Sequence, residues 1–139
     1  MSTPITQHFS TGEFASHDGV AYPAEWIPTR LVPLCSVLEI GRHACGDLPI
    51  AILSGYRSPA HNAAVGGAQH SQHMEGRAAD ITVKGLKPVE VHTIFLQLHN
   101  QKTITLGGLG LYDNWVHIDI RPGDQLARWM GTKIGDEVT

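Results

Sequence analysis

The chain has no long apolar run, no surplus of positive charge, no repeated or low-complexity segment and only two cysteines. Each absence removes a class of protein. No stretch approaches the roughly 20 apolar residues that cross a bilayer, so no membrane partner is expected. A formal net charge of −3, with no basic stripe, argues against nucleic acid. No early basic segment leads into an apolar run, so no secretory signal is visible and synthesis in the cytoplasm is expected. Cys35 and Cys45 fall along one expected helix. A rise of about 1.5 Å per residue puts them roughly 15 Å apart, beyond disulfide reach. They read as reduced core residues. What is there, 139 residues that are 42% hydrophobic and 17% charged, suits one globular domain that buries a core without staples.

Residues 1–28 read as an irregular arm whose aromatics pack on the body, with Ser10 and Glu13 placed to cap a short helix. Leu31, Leu34, Cys35 and Leu38 recur at helical steps and predict a helix over residues 29–45. Its stripe is imperfect, because Arg42 stands where the next apolar residue is expected. Thr29 is its expected cap, Pro33 falls in the first turn, and Gly46-Asp47 ends it. The apolar run 48–53 reads as a buried strand that delivers Ser54-Gly55-Tyr56-Arg57 at its end. Ser58-Pro59 starts a turn or short helix carrying His61 and Asn62, broken at Gly66-Gly67. Residues 78–83 read as a second strand and 87–99 as a helix with Val91, Phe95 and Leu98 on one face. Gly107, Gly108 and Gly110 suggest a tight turn into a strand. Residues 115–120 read as the last strand, terminated by Arg121-Pro122-Gly123 and followed by a partly helical segment around Trp129. The fold class is α+β: a single domain, residues 1–139, with a small, mainly antiparallel sheet flanked by helices.

The chemistry concentrates between Ser54 and Asp80, with a further element at Trp115-Val-His-Ile-Asp119. His73, Asp80 and His117 are two imidazoles and a carboxylate, a set that holds a catalytic zinc with one position left for water. Gly76 allows the chain to turn so that His73 and Asp80 converge. Strand alternation puts Trp115, His117 and Asp119 on one face and Val116 and Ile118 on the other. Zinc in a cleft on the sheet would acidify water and polarise a carbonyl, chemistry suited to amide hydrolysis. Arg57 is placed to stabilise an oxyanion. The bland alternative is a structural His or Asp hydrogen-bonded within the sheet, and nine histidines make chance spacings common. His8, His43, His92 and His99 read as surface or packing residues, and His17 and His61 as structural residues near the cleft. Spacing does not exclude His70 as a ligand.

The elements Ser54-Gly-Tyr-Arg-Ser-Pro-x-x-Asn62, Gly66-Gly67, Ser71-x-His-x-x-Gly-Arg-Ala-Ala-Asp80 and Val116-His-Ile-Asp119 together resemble the M15 family of zinc D-Ala-D-Ala peptidases. The match is to its peptidoglycan-cleaving branch, which includes phage lysins, and it extends to the Phe14–Gly19 region and Arg128-Trp129. The resemblance implies one zinc per chain on His73, Asp80 and His117, with Arg57 steadying the substrate carbonyl. It implies Ser71 at the cleft edge, with Asn62, Tyr56 and Trp115 as further substrate contacts. Several members use an acid three residues before the last ligand as general base; here that position is Asn114. Asp119 then comes first as base, or as a partner orienting a ligand imidazole; Asp113 is second and Glu75 third. The expectation is a monomeric metallopeptidase (D-Ala-D-Ala carboxypeptidase or endopeptidase) acting on peptidoglycan stems or cross-links, released by a holin or another route if phage-derived. The rival readings are a non-catalytic zinc-stabilised module that binds wall peptides or a protein partner, and a structural domain of a phage tail.

Overall fold

The computed structural model describes residues 2–137. A short hairpin, β1 (Pro4–Thr6) with β2 (Phe9–Ser10), opens the chain and leads into a 3-10 helix at Thr11–Phe14. Glu13 accepts from the Ser10 N–H, so the expected capping residues do meet. The first long helix differs from expectation at its start. A π-helical turn at Ile27–Leu31 feeds α1 (Val32–Ala44), and the Thr29 hydroxyl donates to the Glu25 carbonyl instead of capping. The buried stripe of α1 runs Leu34, Cys35, Leu38, Gly41. Gly41 is the member that apolar spacing could not show. A Cβ there would stand 2.1 Å from the Phe95 ring, so glycine lets two helices approach, and Arg42, only partly exposed, reaches Asp47 Oδ1 at 3.8 Å.

Five strands form the main sheet: β3 (Ile50–Ser54), β4 (Ala78–Val83), β5 (Gly108–Leu111), β6 (Val116–Asp119) and β7 (Ala127–Met130), in spatial order β3-β4-β6-β5-β7. All neighbours are antiparallel except β5 and β7, which run parallel. Three expectations are corrected. The strand expected at residues 48–53 is β3, Ile50–Ser54, an edge strand half exposed and not buried throughout, because only one flank has a partner. Gly108 and Gly110 lie inside β5 and not in a turn. The segment around Trp129 is a strand and not a helix, paired along β5 from Gly108–Ala127 to Leu111–Met130.

α2 (Pro59–Ala64) is capped by the Ser58 hydroxyl, and α3 (Pro88–Asn100) packs on one face of the sheet beside α1. That face supplies Ala79, Ile81, Val83, Leu109, Val116 and Ile118 to a core with Phe14, Leu34, Leu38 and Phe95. Cys35 and Cys45 are buried and unbridged. No helix among the described residues is long and apolar enough to cross a membrane. The other face of the sheet, free of α1 and α3, carries the polar residues.

Candidate metal centre

Two of the expected ligands meet through strand register: Asp80 on β4 lies directly opposite His117 on β6. Alternation sends Ile81, Val116 and Ile118 to the core and turns Asp80, His117 and Asp119 to the opposite face. His73 arrives from the preceding loop. The Ser71 hydroxyl accepts from the His73 N–H at 3.2 Å and opens a 3-10 turn, Gln72–Glu75. Gly76, at φ 67°, then reverses the chain into β4. Only glycine suits that point, since the backbone is left-handed and a Cβ would stand 2.6 Å from the Trp26 ring.

His73 Nε2 stands 3.1 Å from Asp80 Oδ1, and His117 Nδ1 stands 3.2 Å from the same oxygen. A tetrahedral zinc with bonds of about 2.0–2.1 Å spaces its ligand atoms about 3.3 Å apart, and the two edges that meet at Asp80 match that spacing. The outer nitrogens are engaged as well. His73 Nδ1 donates to the Gly55 carbonyl at 2.7 Å, and His117 Nε2 donates to Asp119 Oδ2 at 2.7 Å. Each bond leaves the other ring nitrogen turned toward Asp80, and with an ion bound that nitrogen would give up its proton and present its lone pair, the arrangement found around metal-binding histidines. Asp119 is clamped in turn by Arg121, whose Nη2 donates to Oδ2 at 2.6 Å and Nε to Oδ1 at 3.0 Å.

Charge in the cluster is shaped by burial and by these contacts. Burial pulls the Asp80 carboxyl upward, but His73 and His117 outweigh it and hold the group well below the carboxylate range. Burial pulls His117 down, yet its hydrogen bonds to Asp119 and Asp80 push it up to about 10. Asp119 is raised by burial and more than compensated by His117 and Arg121, which hold it low. Carboxylates crowded around imidazole create a negative field that a divalent cation would neutralise.

The family model for peptidase M15 matches residues 7–119, a span that contains every one of these ligand candidates. The chain belongs to the peptidase M15 family. It is 52% identical over 44 residues to the zinc D-Ala-D-Ala carboxypeptidase of Streptomyces albus G, a stretch covering 32% of this chain and 17% of that protein. It is 32% identical over 89 residues to MepK of Haemophilus influenzae, a probable peptidoglycan L,D-endopeptidase, covering 59% of this chain and 43% of the relative. The matched stretches therefore span less than half of each relative.

Within this M15 domain, Arg57 is buried beside the candidate ligands, with Nη2 3.6 Å from Asp80 Oδ2. Asn62 is not turned to the cleft. It accepts from Arg57 Nη1 at 2.7 Å and donates to the Ala68 carbonyl at 2.9 Å, so it aims the guanidinium. Gly67 makes room for this pair, since a Cβ would stand 1.9 Å from Asn62 Oδ1. A cavity of about 230 Å³ opens beside the cluster, lined by Arg57, Asp80, Trp115, His17, His61 and Ile134. Tyr56 lies elsewhere, edge-on to Tyr22 and Trp26 in aromatic packing. Asp113 is exposed in a separate, larger cleft with Lys87, Leu111 and Met130. Glu75 is exposed near Arg30 and Arg77, and His70 is exposed outside the cluster.

Two participants had no sequence signal. Arg121 read only as a strand terminator. Glu137 is buried against the site, and its carboxylate forms with His73 and His117 a second donor group whose atoms lie within 4.8 Å of one another. It stands 3.8 Å from His117 Nε2, the nitrogen already given to Asp119. In the grouping through Asp80, the two edges that meet at Oδ1 are shorter, 3.1 and 3.2 Å.

Proposed function

We propose that this M15 domain is a zinc metallopeptidase acting on peptide bonds of peptidoglycan stems or cross-links that involve a D-amino acid. The observation that carries the reading is the approach of His73 Nε2 and His117 Nδ1 to the same Asp80 oxygen, at 3.1 and 3.2 Å, beside the Arg57 guanidinium. The names of the two relatives support the substrate class. Zinc, held by those three atoms, one ion per chain, supplies Lewis-acid polarisation of a carbonyl and activation of water.

The chain's own residues do the rest. Arg57, fixed by Asn62 and by the Ser54 hydroxyl at 3.3 Å, places a desolvated cation where negative charge grows on the carbonyl oxygen. Asp119 fixes the His117 ring and tautomer. Its oxygens are committed to His117 and Arg121, which makes it a positioning residue in this reading and not the proton acceptor. Asp113, in a different cleft, has no part in it. Trp115 walls the cavity and stacks on Tyr112 with centroids 4.5 Å apart, giving a flat apolar surface for a substrate side chain.

The test is mass spectrometry of muropeptides incubated with the protein, with and without chelator and added zinc. Chelator-sensitive loss of a terminal D-Ala, or opening of a stem or cross-link, supports the proposal and names the bond. Tight zinc binding with no cleavage would sink it in favour of a binding module.

A further inference from the structure

Beyond β7, residues 131–137 leave the sheet edge and pass over the cleft. The Gly131 N–H donates to the Leu111 carbonyl at 2.9 Å, which starts the segment at β5. Asp136 Oδ2 accepts from the Thr132 and Lys133 N–H groups at 2.9 and 3.2 Å, folding it into a compact turn. Ile134 becomes a wall of the cavity that holds Arg57 and Asp80. Gly135, at φ 101°, packs so closely on the Gly66 carbonyl that a Cβ would stand 2.5 Å away. Residues 132–135 are exposed, but Glu137, next in line after Asp136, is buried.

The Glu137 carboxylate is received by three donors that belong to the site. The Ser71 hydroxyl donates to Oε2 at 3.1 Å, the Gln72 N–H to Oε1 at 3.3 Å, and Arg121 Nη2 to Oε1 at 3.1 Å. Ser71 already accepts from the His73 N–H, so its own proton is available for a carboxylate. A buried carboxylate is costly to hold unless hydrogen-bonded donors compensate it. These three meet that need and would suit any carboxylate of the same reach. The cavity walled by Ile134, about 230 Å³, is smaller than the roughly 300 Å³ and upward typical of ligand pockets.

We propose that residues 131–137 form an autoinhibitory strap, with Glu137 occupying a carboxylate cradle made by Ser71, the Gln72 N–H and Arg121, from which the free carboxylate of a peptide ligand displaces it. The inference rests on the peptidase reading for the ligand class. It lies outside the family-matched span, which ends at Asp119. Residues 132–135 are exposed, and exposed segments are drawn from the less stable part of a fold, which is what a displaceable strap requires. A ligand that must displace it binds more weakly by the fraction of molecules with the cradle free.

The test uses the zinc-loaded full chain and calorimetric binding of N-acetyl-D-alanine and its C-terminal amide. Wild type is compared with Glu137→Gln, which removes the competing charge, and Asp136→Ala, which loosens the turn without touching the cradle. The expected result is about tenfold tighter binding of the acid by E137Q, a smaller gain for D136A, and no change for the amide. Zinc affinity, read by chelator competition, stays within about twofold. Unchanged acid binding in both variants overturns the strap. So does a 10–100-fold loss of zinc affinity in E137Q, which would make Glu137 a ligand. Tighter acid binding by E137Q in a protein that cleaves no muropeptide would leave the strap standing and remove the peptidase reading.

Discussion

Each ring nitrogen of His117 faces a carboxylate: Asp80 at 3.2 Å on one side and Asp119 at 2.7 Å on the other. The second of these contacts is held by Arg121, so the orientation of one ligand depends on a chain of three side chains. Asp119→Ala should therefore weaken zinc binding by about 10–100-fold while leaving the fold intact, measured by competition with a chromogenic chelator. Unaltered zinc affinity in a folded D119A protein would contradict the positioning role. Arg57 acts at a different point, on the substrate. Arg57→Ala should lower kcat by about 10²–10³ with little change in zinc affinity, the loss expected when one transition-state donor is removed. A parallel fall in zinc binding would instead mean that the guanidinium builds the metal site.

Helix α1 is fixed at two points that can be tested separately. At Gly41 the Phe95 ring fills the space a methyl would need, and Phe95 is itself fully buried. Gly41→Ala should destabilise by about 1–3 kcal/mol in urea titration, despite the better helix propensity of alanine. A more stable variant would show that α1 and α3 can separate freely. At Glu39 the helix holds the N-terminal hairpin: the carboxylate accepts from the Thr6 hydroxyl and the His8 N–H at 2.7 Å each, and meets His8 Nδ1 at 2.6 Å. Burial raises the Glu39 carboxyl, but these bonds prevail and lower it. A depressed carboxyl stabilises the fold above its unfolded value, about 4.3, and that contribution is lost as pH falls through the folded value. The wild-type advantage over Glu39→Gln should shrink below about pH 4, followed by thermal unfolding across pH. A pH-independent difference would refute the assignment.

The elements whose signals are local were legible in the sequence. The ends of β4 were read correctly, and so were the Gly46-Asp47 stop of α1, the Pro59 start of α2 and the Gly76 reversal. The alternation of the strand 116–119 placed His117 and Asp119 on one face before any coordinates. What escaped was set by tertiary approach. Gly108 and Gly110 resemble a turn because their reason for being glycine lies across the sheet. A Cβ at Gly108 would stand 2.2 Å from the Asp119 carboxylate, and one at Gly110 would stand 2.6 Å from the Trp129 indole. β7 was missed because its parallel partner is distant in sequence and its own residues, Ala-Arg-Trp-Met, carry no clean alternation. Glu137 lies 18 positions beyond Asp119, where no motif spacing points to it.

At the scale of the whole molecule, the proposed zinc would be thermodynamically linked to the fold. An ion that binds only the folded chain stabilises it by about 2.7 kcal/mol at 100 times its Kd. For a chain of this size, that corresponds to a fall in Tm on the order of 10 °C when chelator removes it. Differential scanning calorimetry should show this shift in wild type and its absence in His73→Ala. An equal shift in both would place the stabilising ion at some other site.

The direct opposition of Asp80 and His117 across two central strands has a consequence for how the chain reaches its native state. A slip of one residue between β4 and β6 would flip every side chain of the slipped strand, drive a carboxylate or an imidazole among Phe95 and Leu109, and expose the valines and isoleucines. Core and metal site are thus written in the same alphabet of alternate residues. Neither can form in the wrong frame without spoiling the other, and a chain that captures its ion has thereby proofread its own sheet.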